Sequence, residues 1–156
     1  MAFENTAGLG VNNQYNIRNT GGAVGTERSM NSIQTLTYDL TGEMLNSPFV
    51  PPVVVPKGAK IIKVLLVVDQ LFDVSAAGTV AVGGTLPATN GVVLTEAQLE
   101  SLGAKDVTAS AVGTWSAAST TGTLTAQRVS KAISGTVNAT VGRASLVVEY
   151  FNKAVG

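Results

Sequence analysis

The chain has 156 residues, equal numbers of basic and acidic side chains (10 of each), and neither histidine nor cysteine. Disulfides, thiolate nucleophiles, Cys/His zinc sites and imidazole bases are therefore excluded. A net charge of zero provides no long-range field to attract phosphate polymers, which argues against nucleic acid as a partner. The low charged content (13%) also removes the repulsion that keeps monomers apart, which favours a protein that lives in an assembly.

The composition predicts one all-β domain. Aromatic residues make up only 5% of the chain, whereas valine (22) and threonine (18) are abundant, and small branched side chains pack well on pleated sheets. The longest apolar run, residues 64–68, is far shorter than the roughly 20 residues that span a bilayer, so no membrane partner is expected. The start of the chain lacks the basic and apolar regions of a signal peptide, which predicts a protein kept in the cytoplasm.

Residues 1–30 are predicted to form an extended N-terminal arm that precedes a β-domain over residues 31–156. The segment is rich in Asn and Gly, and its apolar residues follow neither a strand period nor a helix period. Such a segment buries too little surface by itself to offset the entropy of ordering it. Three alternatives remain open: the arm is ordered against a partner, it is a mobile tail, or it adds short strands to the fold.

Four predicted strands have the clearest patterns, at residues 32–41, 61–68, 79–82 and 144–151. The first strand alternates, with Leu36, Tyr38 and Leu40 on one face. The second is apolar on both faces except for Lys63, which is typical of a buried central strand. The last is apolar enough to lie inside a sheet.

Proline and glycine punctuate these strands. Pro56-Lys57-Gly58-Ala59 predicts a turn before the central strand, because proline fixes φ and glycine accepts positive φ. Pro51 and Pro52 cannot donate ladder hydrogen bonds, so residues 49–55 are predicted to form an edge. Residues 86–91 are predicted as a loop. Weaker strands at residues 107–112, 122–128 and 136–138 complete a spacing typical of a β-sandwich.

One short helix is predicted over residues 96–102. Thr95 is the expected N-cap, Gln98 completes a capping box, and Leu94 packs on Leu99 as a hydrophobic staple. Gly103 is expected to end the helix. The alternative is a turn inside a loop.

No constellation of residues predicts a reaction. The carboxylates are scattered, and a serine nucleophile would have no histidine as its base. Residues 21–25, Gly-Gly-Ala-Val-Gly, neither follow an apolar strand nor open a helix, which indicates a flexible joint and not a phosphate loop. Asp69 and Asp73 bracket the end of the central strand, where calcium ligation and plain surface carboxylates are the alternatives. We expect no enzyme activity, no small-molecule substrate, and no cofactor or metal.

Trp115 is the one aromatic residue that suggests a contact. It lies between Gly113 and Ser116 in a stretch predicted to be a glycine-flanked loop. A large aromatic side chain in such a loop often anchors a partner, and packing in the core is the alternative.

Three stretches of the chain together make up one pattern of turns and strands. They are Val55-Pro56-Lys57-Gly58-Ala59-Lys60-Ile61, Thr79-Val80-Ala81-Val82-Gly83 and Gly142-Arg143-Ala144-Ser145-Leu146-Val147-Val148-Glu149-Tyr150, with Val64, Val68 and Phe72 between the first two. In chain order they give a Pro-x-Gly-Ala turn, a hydrophobic strand ending near a Phe, a strand ending in Gly and a closing strand ending in Tyr. This order resembles a pattern common in small structural proteins of tailed bacteriophages. The likeness is to the head decoration, or cement, proteins, and it covers residues 50–84 and 140–151.

The resemblance implies a β-sandwich or jelly-roll-like domain on the outer capsid surface of the virion. It also implies a homo-oligomer, often a trimer, that bridges major capsid subunits after synthesis in the host cytoplasm. The arm would strap onto the capsid, and many copies on one shell would bind by avidity. The implied contact residues are Phe3, Leu9, Tyr15, Ile17, Arg18, Arg28 and Trp115, with the two arginines paired to capsid carboxylates.

A second hypothesis keeps the same sandwich but changes its task. The chain would be a phage tail or fibre component, or a carbohydrate-binding module in which Trp115 and Tyr38 form a surface that stacks on sugars.

Overall fold

A computed structural model describes residues 33–48, 53–120 and 124–152 of the protein. In chain order the elements are β1 (Ile33–Thr41), α1 (Gly42–Asn46), β2 (Val54–Val55), β3 (Ala59–Gln70), β4 (Thr79–Gly83), β5 (Gly91–Thr95), α2 (Glu96–Leu99), β6 (Gly103–Asp106), a 3₁₀ helix (Thr108–Ser110), β7 (Ala111–Val112), α3 (Thr114–Thr120), β8 (Gln127–Arg128), β9 (Ser130–Ser134) and β10 (Arg143–Asn152). The strand pairs are antiparallel, so the predicted all-β class is confirmed. The predicted arm lies outside the described residues.

The strands form two four-stranded sheets and a two-stranded ribbon. The first sheet has the order β1-β10-β3-β6, the second has the order β7-β5-β4-β9, and the ribbon joins β2 to β8. Only Val129 separates β8 from β9, and its N–H donates to the carbonyl of Val53 at 2.8 Å. The pairing of the ribbon therefore continues toward the edge of the second sheet.

The strands with the clearest patterns are where the sequence predicts them. The strand predicted at residues 32–41 is β1, and the central strand is β3, which lies between β10 and β6. The last strand, β10, is likewise internal, between β1 and β3. In each case the alternating apolar residues face the core, because successive side chains of a strand point to opposite faces.

Several weaker expectations are wrong. Residues 107–112 form a 3₁₀ helix and the two-residue β7 instead of one strand, because Asp106 Oδ1 accepts the N–H of Thr108 at 2.9 Å and so favours a turn. Near residues 136–138 only a single bridge forms, between Val74 and Val137. The strands β5, β6 and β9 and the helix α1 were not predicted. The segment predicted as an edge, residues 49–55, contains the short strand Val54–Val55, and residues 49–52 lie outside the described ranges. The strand predicted at residues 122–128 is reduced to Gln127–Arg128, and residues 122–123 lie outside the described ranges.

The predicted helix exists as α2 but ends three residues early, at Leu99. The side chain of Gln98 accepts the N–H of Thr95 at 2.9 Å, as the capping box requires. Leu94 and Leu99 are both buried, in agreement with the hydrophobic staple. Gly103 does not end this helix as predicted: the C-cap is Glu100, whose N–H donates to the carbonyl of Glu96, and Gly103 begins β6.

Both sheets contribute to one hydrophobic cluster. Its members include Leu66 and Leu146 from the first sheet and Val82 and Leu94 from the second. Among the described residues, no charged or polar residue is buried in this core. The core is therefore held by burial of small apolar side chains, each of which contributes on the order of 1.5–3 kcal/mol when fully buried.

A contact between Phe72 and Gly142 connects the end of β3 to the start of β10. Gly142 has φ = 102°, and a Cβ atom at this position would lie 2.2 Å from Cδ1 of the Phe72 ring. The ring is buried, with 3% of its surface exposed. The Phe after the central strand and the Gly before the closing strand, two residues that belong to the pattern of turns and strands noted in the sequence, thus form one packing unit.

Replacing Gly142 by alanine should destabilise the protein by more than replacing Gly103. Both glycines have positive φ, but a Cβ at Gly103 would meet no atom within 4 Å. Gly103→Ala should cost about 1 kcal/mol of backbone strain, and Gly142→Ala at least about 2–3 kcal/mol, because the clash with the ring adds to the strain. Urea unfolding measures both values, and equal losses for the two variants would contradict the packing argument.

Candidate interaction surface

The first sheet has a face that points away from the core, which we call the outward face. It carries Ile33, Thr35, Thr37 and Asp39 of β1, Ser145, Val147, Glu149 and Phe151 of β10, Lys63, Leu65 and Val67 of β3, and Ala104 and Asp106 of β6. At its centre Leu65, Val67 and Val147 are each half-buried, although their strand neighbours on the inner face are fully buried. The outward face therefore has an apolar strip at its centre, formed by Leu65, Val67 and Val147, that stays partly open to solvent in the described residues.

Two larger apolar side chains extend the outward face at one end. Ile33, 61% exposed, lies opposite Phe151, and Ile62 is 45% exposed. Ile62 has no partner in the ladder because the register between β10 and β3 shifts there: Glu149 pairs with Lys63, and the next residue pairs with Ile61. A bulge of this kind turns a side chain away from regular alternation, and here it places an isoleucine in solvent.

Charged side chains of both signs border the apolar strip, and the Lys63–Glu149 pair lies between the strip and the Ile33–Phe151 pair. Lys63 lies opposite Glu149 on β10, and Asp106 lies opposite Leu65 on β6. Hydrogen bonds from Thr108 hold the pKa of the Asp106 carboxyl below its usual range: its hydroxyl donates at 2.6 Å and its backbone N–H at 2.9 Å. The positive charge of Lys63 lowers that pKa further.

Acid should weaken the fold in part through Asp106. A carboxyl whose pKa is lower in the folded state stabilises the protein above its unfolded pKa of about 4, and this contribution is lost as the pH falls through the folded value. In Asp106→Asn the free energy of unfolding should therefore fall less steeply below about pH 4 than in the wild type. Urea unfolding from neutral to acid pH tests this.

A second variant tests the cause of the lowered pKa. Thr108→Val removes the hydroxyl donor, so the pKa of Asp106 should rise toward its usual range, as followed by NMR titration of the carboxyl carbon. Identical acid slopes for the wild type and Asp106→Asn would contradict the role given to this carboxylate.

Trp115 does not lie on the surface. It sits in α3, not in a loop, and its ring is fully buried. Its indole Nε1–H donates to Gln127 Oε1 at 3.2 Å, and the same oxygen accepts from Asn90 Nδ2 at 3.1 Å. The prediction that Trp115 contacts a partner is therefore wrong for the described structure, and the alternative of core packing is correct.

Tyr38 is also unsuited to stack on a sugar. It faces inward from β1 and is 1% exposed. Burial raises the pKa of its hydroxyl, which has no hydrogen-bond partner in the part of the chain that the structure describes. The two aromatic residues assigned to a sugar platform are thus both in the core.

Replacing Trp115 by alanine should act as a core mutation. We expect a loss of about 3–5 kcal/mol in the free energy of unfolding, because the change opens a large cavity. Trp115→Phe is the matched control: it keeps most of the ring volume, loses one hydrogen bond, and leaves Gln127 with Asn90 as a donor. Chemical denaturation that found Trp115→Ala as stable as the wild type would contradict the buried position.

The carboxylates near the end of β3 bind backbone and amide groups. Asp73 Oδ2 accepts from Asn138 Nδ2 at 3.2 Å, while Glu96 and Glu100 accept the N–H groups of Ala77 and Val74 at 2.8 and 3.0 Å. In residues 33–48, 53–120 and 124–152 no group of three or more His, Cys, Asp or Glu side chains is placed to hold a metal ion. These carboxylates stabilise the loop that follows β3.

The other predicted contact residues, Phe3, Leu9, Tyr15, Ile17, Arg18 and Arg28, lie outside the described residues. Within the described ranges, none of the helices has the length and hydropathy to cross a bilayer. Comparisons with protein-family models, with curated proteins and with solved structures found no match to this chain.

Proposed function

We propose that the domain is a β-sandwich of the jelly-roll type. Two four-stranded antiparallel sheets contribute to one buried cluster. β8 pairs with β2 in the ribbon and β9 pairs with β4 in the second sheet, so the two consecutive strands connect the ribbon to that sheet. The chain then crosses between sheets repeatedly, and its first described strand lies beside its last. This arrangement agrees with a jelly roll of eight strands and two Greek keys. Capsid and lectin domains share that architecture, so the fold supports a function only by analogy.

We propose further that the protein is a structural virion protein, a decoration or cement protein of a tailed-phage head. It would bind the outer capsid surface and stabilise contacts between major capsid subunits as a homo-oligomer, with a trimer favoured by the resemblance. The observation that carries the proposal is the outward face, in which an apolar strip is bordered by charges of both signs. Such a surface suits adhesion to another protein, because apolar centre and polar rim are the usual parts of an interface.

The residues of the phage-like pattern support the proposal through their positions. Gly58 has φ = 87° in the turn before β3, and its N–H donates to Leu124 O at 2.8 Å. Phe72 and Gly142 pack together, and Tyr150 is buried near the end of β10. The pattern thus coincides with the turns and strand ends on which the sheets depend.

In this proposal the arm, residues 1–30, is the segment that binds the capsid. Its two arginines, Arg18 and Arg28, are the only cations among residues 1–30, and the described β-domain begins after it, at Ile33. An arm attached to one edge of a rigid domain can gain main-chain hydrogen bonds on a neighbouring subunit without a preformed pocket. Weak contacts repeated over many copies then add up to strong reinforcement of the shell.

Deleting residues 1–30 should abolish binding to empty heads and leave the fold intact. The described elements of the domain all lie after the deleted segment, so the circular dichroism spectrum and the urea midpoint should stay close to those of the full chain. Cosedimentation with heads that lack the protein measures binding, and the heat resistance of the decorated heads measures reinforcement.

Matched variants separate the arm from nonspecific charge. Arg18→Ala with Arg28→Ala should weaken head binding, whereas Lys57→Ala, which removes an exposed cation from the turn before β3, should not. Unchanged head binding after deletion of the arm would show that the arm is not the contact. Failure of the full chain to bind heads, together with binding to tails or glycans, would favour the second hypothesis.

A further inference from the structure

β1 is an edge strand without the usual protection against pairing. In the described residues it pairs only with β10, so one side of its nine-residue backbone is open. Natural edge strands are commonly kept short or carry lysine, proline or a bulge. β1 contains no basic residue and no proline, and its register with β10 runs from Ile33 to Thr41 without a shift.

The other three sheet edges differ from β1. β7 has two residues, β6 has four and ends in Lys105 and Asp106, and β9 has five. Lys131 of β9 donates from Nζ to the carbonyls of Leu45 and Ser47 at 2.8 and 2.5 Å, which ties that edge to α1. The long and regular edge of the described sheets is therefore β1.

We propose that β1 is an interface between two copies of this chain, paired antiparallel about a twofold axis at Thr37. In this register Thr37 lies opposite Thr37 of the other copy, and Ile33 lies opposite Thr41 of the other copy. This register uses the whole strand. It also places Asp39, the only charged residue of β1, opposite Thr35 of the other copy.

Charge and strand length together select this register over the alternatives. A twofold axis at Asp39 would set two carboxylates directly opposite each other, which destabilises a strand pair. Axes at Leu36 or Tyr38 would leave two residues of the strand unpaired at one end. In the chosen register the exposed side chain of Thr37 lies opposite the same residue of the other copy, and half-buried Leu36 lies opposite Tyr38 of the other copy on the core side.

The pairing would join two first sheets into one continuous sheet and bring two outward faces side by side. The inference deepens the homo-oligomer of the proposed function and rests on it. A twofold contact joins copies in pairs, so in a trimeric protein it would link copies of neighbouring trimers.

Single cysteines test the register, because the chain has none of its own. Opposed residues of antiparallel strands have Cα atoms about 4.5–5.5 Å apart, within the range of a disulfide. In the full chain, Thr37→Cys should form a disulfide-linked dimer under mild oxidation. Ile33→Cys is the matched control: the two sulfurs would be separated by about eight residues, or about 26 Å, so only background crosslinking is expected.

Added lysines test the same register without a covalent bond. Thr37→Lys places two positive charges opposite each other and should weaken the dimer at least severalfold in sedimentation equilibrium. Thr35→Lys adds the same charge to the same face, but opposite Asp39 of the other copy, and should strengthen the dimer severalfold. Both side chains are exposed in the single copy, so the fold should tolerate either change. Mixing Thr37→Lys with Thr37→Glu should restore pairing.

The results separate this inference from the proposed function. Equal crosslinking by Thr37→Cys and Ile33→Cys, or weakening by both lysine variants, would overturn the β1 interface even if the protein binds heads. A dimer with the expected crosslink and lysine effects that binds no heads would uphold the interface and overturn the capsid assignment. A full chain that sediments only as a monomer at high concentration would overturn the interface.

Discussion

The pairing of β10 between β1 and β3 is the constraint on which the rest of the structure depends. This strand comes last in the described chain, yet it forms ladders with the first described strand and with the central one. It carries Leu146, Val148 and Tyr150 into the common core. The first sheet is therefore complete only when the two ends of the domain meet, a nonlocal topology of the kind that folds slowly.

The same alternation that builds the core also produces the candidate interaction surface. Each residue that β10 buries has a neighbour on the outward face, so Val147 and Phe151 face outward and are only half-buried as a direct consequence of burying Leu146 and Tyr150. The bulge at Ile62 adds an exposed isoleucine that regular pairing would not place there. Folding thus uses the inner face of these strands, and the adhesion that we propose would use the outer face of the same strands.

A surface of this kind is consistent with a protein that acts by association. The chain has no net charge, so copies approach one another without long-range repulsion. Its outward face and the open edge of β1 adjoin, since Thr35 and Thr37 belong to both. Contacts through the face and through the edge would therefore reinforce each other in the assembly that we propose.

The sequence by itself determined the elements whose signals are local. Alternation is enough to place β1 and β10, a run that is apolar on both faces is enough to place β3, and the capping box is enough to place α2, because each signal depends on neighbours in the chain. The arm residues could be proposed from sequence, but no described contact supports or opposes them. Only the tertiary structure decided the outward face, the open edge of β1 and the position of Trp115. Flanking glycines suggested a loop for this tryptophan, but the structure places it in α3, buried in the core and hydrogen-bonded to Gln127. Those outcomes depend on residues distant in the chain, and local propensity carries no information about such partners.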